Sequence, residues 1–294
     1  MASSDSQYKH GMDIPIATPA TRVVSLVPSL TESLFDLNLG NRIVGITDYC
    51  TRPADKLVHL PRVGGVKNPN LEHILALQPD LVFASQEENS KSTVEALQAA
   101  GIPVWVTFPK TVPDVFNLLW NIMDVFDEAT MVPRVRLMEY TYDWVSNSVK
   151  TQRGAPSRVF APIWFDPIMT ITADTYAHDL IEVCGGRNVF ADYHSEGDDA
   201  EKARYPQVTL AEVVAAQPEV ILLPDEPYKF TEDDRARFAT LDVPATHNQR
   251  IYLVDGSLLT WPGTRVVYAL TDLPPLLAPT LPDGSGQICG KVGK

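Results

Sequence analysis

Cysteine is scarce in this chain: its 294 residues hold three, Cys50, Cys184 and Cys289. Three thiols cannot all pair within one chain, and none stands in a C-x-x-C, so neither a disulfide framework nor a thiolate zinc site is indicated. Positive charge is also in deficit, with 24 Lys and Arg against 37 Asp and Glu for a net −13. No basic stripe interrupts that balance, so a polyanion would be repelled and nucleic acid is not an expected partner. No apolar run approaches the roughly 18 residues of a membrane span, and the chain does not read as membrane-spanning. Residues 1–7 have neither the basic patch nor the apolar stretch of a secretory leader. As written, the chain reads as cytoplasmic if complete, and as periplasmic or cell-surface if a leader has been removed. Catalytic signatures are missing too: there is no G-x-S-x-G elbow, no G-x-x-x-x-G-K-[ST] and no G-x-G-x-x-G. Cys184-Gly185-Gly186 falls at a predicted helix end, where glycines serve as C-caps. An enzyme is therefore the weakest class of reading.

What is present is an ordinary folding composition, 45% hydrophobic and 21% charged, over a length that suits about two domains. The chain also repeats itself. Asn70-Leu71-Glu72-His73-Ile74-Leu75-Ala76-Leu77-Gln78-Pro79-Asp80-Leu81-Val82 recurs as Thr209-Leu210-Ala211-Glu212-Val213-Val214-Ala215-Ala216-Gln217-Pro218-Glu219-Val220-Ile221. Arg22-Val23-Val24 recurs as Arg158-Val159-Phe160, Leu39-Gly40-Asn41-Arg42 as Cys184-Gly185-Gly186-Arg187, and Ile102-Pro103-Val104 as Val243-Pro244-Ala245, in the same order and at nearly constant spacing. β-Branched runs at 22–27, 43–46, 80–84 and 103–107, and again at 158–162, 188–190, 220–223 and 251–254, alternate with helical patterns, which predicts βα units on parallel sheets. Ser29-Leu30-Thr31-Glu32 and Thr209-Leu210-Ala211-Glu212 both read as capping boxes. Beyond Pro133, apolar Val135, Met138, Tyr142, Val145 and Val149 recur at helical spacing, predicting one helix over 133–152, about 30 Å long at ~1.5 Å per residue. The fold class is thus α/β, two Rossmann-like lobes with parallel sheets joined by one long backbone helix. Its divisions are a tail over 1–19, a lobe over 20–128, the linking helix over 129–153, a lobe over 154–277 and a tail over 278–294. Such a rod between lobes favours rocking over wide closure.

In open α/β sheets ligands bind beyond the carboxyl ends of the strands. The segments that follow the predicted strands hold Tyr49, Phe108, Trp164, Phe165, Tyr193, Tyr228 and Trp261, with Asp166, Asp225, Glu226 and Lys229 among them. That content suits a large, flat, partly apolar ligand better than a bare ion. Pro28 and Ser29, at the start of the first helix, would bring a helix N-terminus to the ligand's anionic groups.

Residues 22–32, Val44-Gly45-Ile46-Thr47-Asp48-Tyr49, Asn70-Leu71-Glu72 with Gln78-Pro79-Asp80, and the rod-like helix together resemble the helical-backbone substrate-binding proteins of ABC importers, in particular the cobalamin, ferric-siderophore and haem branch. The resemblance covers roughly residues 20–275. It implies a monomeric carrier of a small-molecule ligand, delivered to an ABC permease or otherwise handed on, with no catalytic cofactor and with cobalamin, haem or a ferric siderophore as cargo. It also implies Tyr49 as a ring stacked on the ligand and Glu72 as a permease-docking carboxylate. By the repeat Glu72 falls on Ala211, so a second docking carboxylate would be Glu212, one position on and about 100° round the helix. Val66 stands where the cobalamin receptors place a tryptophan, with Trp164 or Trp261 available to compensate. The expected ligand-binding set is Pro28, Ser29, Tyr49, Trp164, Phe165, Tyr228 and Trp261.

One alternative keeps the fold and changes the cargo. Cys50 and His194, with Asp192 or Glu196, could form a zinc-type site, though no spacing demands it.

Overall fold

The computed structural model describes residues 19–193 and 203–279. The chain divides into two compact units, one holding the described residues up to Tyr142 together with Ser257–Ala269, the other Asp143–Gly256 and the described residues from Leu270 on. In chain order the first stretch gives β1 (Val23–Ser25), α1 (Pro28–Asp36), a 3-10 turn (Gly40–Arg42), β2 (Ile43–Ile46), α2 (Ala54–Leu57), α3 (Leu71–Ala76), β3 (Leu81–Ser85), α4 (Lys91–Ala99), β4 (Val104–Thr107) and α5 (Val112–Val125). Helix α6 (Val132–Thr151) leads to β5 (Ser157–Phe160), β6 (Trp164–Phe165), β7 (Ile168–Met169), α7 (Tyr176–Val183), β8 (Gly186–Asn188), α8 (Leu210–Ala216), β9 (Val220–Pro224), α9 (Glu232–Phe238), α10 (Pro244–His247), β10 (Ile251–Val254), α11 (Ser257–Thr260) and α12 (Val266–Leu277).

The first sheet runs β2-β1-β3-β4 and the second β10-β9-β5-β8, all parallel. Numbered within its own half, each reads 2-1-3-4, so the sequence repeat is also a topological one. The central strands β3 and β9 are buried at every residue, as strands covered on both faces should be. Val24, Leu26, Ile74, Val82 and Leu97 centre one core; Phe160, Val213, Ile221, Leu223 and Phe238 centre the other.

Matched residues do matched work. The Arg22 backbone N–H donates to Asp80 Oδ1 at 2.9 Å, and its guanidinium donates to the carbonyls of Leu77 (2.6 Å) and Gln78 (3.1 Å) at the end of α3. In the second half the Arg158 N–H donates to Glu219 Oε2 at 2.8 Å, and its guanidinium donates to the Ala216 carbonyl at the end of α8. Gln78 (φ 48°) and Gln217 (φ 46°) both turn left-handed just before a proline. Helix end, proline stop and arginine cap form one device used twice: the left-handed residue ends the helix, and the guanidinium takes up carbonyls the helix leaves open.

Several local expectations are corrected. The box expected at Ser29 does not form: α1 starts two residues earlier, with Pro28 in its first turn, Val27 at the N-cap and no side-chain cap. Proline has its φ already set for a helix and no N–H to satisfy, so it takes the first position and Ser29 moves inside. The box at Thr209–Glu212 does form. The strand expected over 188–190 is Gly186–Asn188, because the Asn188 side chain accepts from the Phe190 N–H and donates to the Ile171 carbonyl, ending the ladder. Gly186 is required in that strand, since a Cβ there would come within 2.7 Å of both Ile181 and Val159. Gly185, at φ 91°, is the helix-ending glycine.

Along α6, Val135, Met138 and Val145 are buried. In the first unit Tyr142 meets Phe116 edge-on at 5.7 Å and Arg134 pairs with Asp36 at 2.8 Å; in the second, Val149 packs at Gly185. Residues 257–269, expected in the second lobe, cluster with the first unit instead. Their partner is α1: Thr264 donates through its N–H to Ser33 Oγ (3.0 Å) and through its hydroxyl to Asp36 Oδ2 (2.7 Å), and Gly263 lies so close that a Cβ would stand 2.3 Å from Ser33 Oγ.

Candidate functional site

In the first unit the segment after β2 makes a turn with Tyr49 at its tip. The residue is 62% exposed and its ring lies near Gly65. Beneath the turn, Cys50 Sγ sits 3.1 Å from Thr31 Oγ1 and 3.2 Å from Thr47 Oγ1, fully buried. Burial pushes the Cys50 thiol up, which disfavours the thiolate a metal would need. His194 lies outside the described residues, and among the described residues no group of three His, Cys, Asp or Glu surrounds a common point. Pro28 and Ser29 are buried in the start of α1, and Ser29 Oγ has no hydrogen-bond partner.

Trp261, 7% exposed, belongs to this unit as well. The Arg265 guanidinium lies over its ring at 5.9 Å and over Tyr268 at 5.4 Å, while Arg265 Nε stands 3.0 Å from Glu32 Oε2. The two side chains are largely buried and form a close ion pair. Desolvation raises the Glu32 carboxyl, Arg265 pulls it down and Asp36 pushes it up again. Glu32 and Arg265 lie far apart along the chain, so no local sequence signal links them.

In the second unit the segment after β5, expected as a loop, folds into a tight hairpin of β6 and β7, with Trp164 paired to Met169 and Phe165 to Ile168. Trp164 is 42% exposed, and its Nε1–H donates to the Asp166 carbonyl at 3.1 Å. Its ring meets Tyr228 edge-on at 5.6 Å, and Tyr228 stacks on Phe165 at 6.2 Å. Behind them Phe230 lies 4.8 Å from Tyr228, and Phe238 lies 5.9 Å from Phe165. Two strand-end segments distant in sequence, after β5 and after β9, thus converge on one aromatic cluster. Trp164 forms its exposed end and Phe238 its buried end. Trp164, Phe165 and Tyr228 are brought together; Phe230 and Phe238, which are not among the expected residues, complete the set.

The two carboxylates differ. Glu72 is exposed in the first turn of α3, whose cap is Asn70. Glu212 is occupied: Oε2 accepts from the Thr209 N–H and hydroxyl, both at 2.7 Å, and Oε1 accepts from Tyr193 Oη at 2.8 Å. Those bonds hold its carboxyl below the usual range. Beside it, a hollow of about 520 Å³ is lined by residues that include Arg158, Arg187, Asp192 and Tyr193.

Two parallel sheets of identical order, with ring-bearing segments at their strand ends, define a solute-binding protein built on a duplicated α/β unit. The chain belongs to the periplasmic binding protein family, whose model matches residues 23–258. It is 25% identical over 255 residues to the vitamin B12-binding protein of Vibrio parahaemolyticus, covering 87% of this chain and 88% of that one. Among solved structures it superposes on the periplasmic vitamin B12-binding protein BtuF of Vibrio cholerae with a TM-score of 0.72 at 24% identity, covering 88% of this chain and 97% of that one. It also superposes on the periplasmic haem-binding protein RhuT of Roseiflexus sp. RS-1, with a TM-score of 0.68 at 23% identity and coverage of 88% and 98%. Its relatives are solute-binding proteins rather than enzymes, in agreement with the absence of catalytic motifs. Among the described residues no helix is long and apolar enough to cross a membrane.

Proposed function

We propose that this chain binds a cobalamin-type tetrapyrrole, or a chelated metal such as haem or a ferric siderophore, and delivers it as a monomer to an ABC permease on the outer side of the membrane. Tyr49, and separately Trp164 with Tyr228 and Phe165, are the aromatic faces offered to the ligand, and Glu72 is the docking carboxylate. The observation that carries the reading is that large rings stay exposed at strand ends in both units, where burial would otherwise be favoured. The relatives named for vitamin B12 support cobalamin as the first ligand to try. Pro28, Ser29 and Trp261 take a supporting role, packed behind the surface, and Glu212 caps α8.

Calorimetric titration with cyanocobalamin, haemin, a ferric hydroxamate and Zn²⁺ tests this. Micromolar or tighter binding of one macrocycle or chelate is expected. Tyr49→Ala and Trp164→Ala should each weaken it by roughly 1–3 kcal/mol. Binding of Zn²⁺ alone, abolished by Cys50→Ala, would replace this reading with a metal-binding one.

A further inference from the structure

We propose that Arg62 is a positioning residue for Tyr49, acting through the backbone of the turn and without touching the ligand; this rests on the reading of Tyr49 as a ligand-stacking ring. Arg62 Nη1 donates to the carbonyl oxygens of Thr47 and Cys50, each at 2.8 Å. Those are the two residues that bracket Asp48 and Tyr49, so one nitrogen ties both ends of the turn together. The segment carrying the guanidinium is itself stitched to β2: the Ile46 N–H donates to the Pro61 carbonyl (3.0 Å) and the Val63 N–H to the Ile46 carbonyl (2.8 Å). The Asp48 N–H donates to the Gly64 carbonyl at 2.9 Å, a third bond between the same two segments. From the buried side the Cys50 thiol meets Thr31 and Thr47.

Arg62 forms no ion pair with a carboxylate among the described residues, so its charge is spent on those two carbonyls. A ring this exposed has little core of its own to fix it. The cost of ordering it would fall on binding unless the turn were set beforehand. A charge-assisted clamp on the two ends of a four-residue turn meets that need.

The test compares wild type, Tyr49→Ala, Arg62→Met and the double variant by hydrogen exchange over residues 47–50 and by calorimetry with cyanocobalamin and haemin. Should Arg62→Met fail to fold, Arg62→Lys, which keeps the charge and loses the planar fork, takes its place. The proposal predicts faster exchange over 47–50 in Arg62→Met and an affinity loss of about 3- to 10-fold, shrinking to less than about twofold when Tyr49 is already alanine. Unchanged exchange overturns it. So does an equal affinity loss with and without Tyr49, which would give Arg62 a structural role unconnected to the ring. If Tyr49→Ala leaves affinity intact, or neither probe binds wild type, the stacking reading fails and the positioning role fails with it; exchange still shows separately whether the clamp exists.

Discussion

Burial alone would raise the Asp80 carboxyl, yet the N–H groups of Thr21 and Arg22 and the Thr21 hydroxyl outweigh it and hold Asp80 below its usual range. The unfolded chain therefore binds this proton more readily than the folded one. The stability Asp80 contributes is complete above the ordinary carboxylate range of about pH 4, and it is lost as pH falls through the lower folded value. Asp80→Asn should lower the melting temperature at pH 7 and flatten its decline in acid; thermal denaturation from roughly pH 7 to 2 reads both, and an unchanged acid limb would contradict the assignment. Glu32 works the other way: desolvation raises its folded value, so its burial destabilises at neutral pH and relaxes as pH falls. At this scale the sequence told unevenly. The Gln-Pro-Asp and Gln-Pro-Glu matches marked positions whose reasons are local, a left-handed residue, a helix stop and a carboxylate facing strand N–H groups. Arg62 and the Glu32–Arg265 pair act across folded distance and had no local mark. Phe230 and Phe238 were legible only as apolar residues.

Among the elements, caps separate what a motif predicts from what it does. Thr209 and Glu212 satisfy each other's N–H groups, so Thr209→Ala should cost about 1 kcal/mol, measured by urea denaturation. Ser29 carries the same kind of motif but lies inside α1 with an unpartnered, buried hydroxyl, so Ser29→Ala should be neutral or stabilising. A loss as large as that of Thr209→Ala would show that Ser29 caps after all. The box was legible and the proline outranked it. The β6–β7 hairpin was not legible, because four strand residues around Asp166-Pro167 are too few to show a period. Gly263 tests the return of 257–269 onto α1. Gly263→Ala puts a methyl 2.3 Å from Ser33 Oγ and 3.1 Å from the Ser29 carbonyl, and it should destabilise by roughly 1–3 kcal/mol. A full-stability variant would mean that the segment is not held there.

For the whole molecule the duplication was the strongest signal. It fixed two sheets of one order and a helix passing from one half to the next, since strand order follows from matched βα units once the halves match. What duplication cannot show is where the halves depart from each other. Residues 257–269 follow the last strand of the second half yet pack on α1, as the contacts with Ser33, Asp36 and Glu32 show. Function was legible as a class, because exposed aromatics after parallel strands with no catalytic set point to binding. The cargo was not, since a ring stacks on a corrin, a porphyrin or a chelate by the same physics. The most direct measurement is native mass spectrometry of the purified chain incubated with cyanocobalamin, haemin and a ferric hydroxamate in turn. A single intact molecule bound per chain, retained by wild type and shed by the Tyr49→Ala, Trp164→Ala double variant, is the predicted result. A chain that stays at its own mass with every compound, or that releases a chemically altered one, would contradict it.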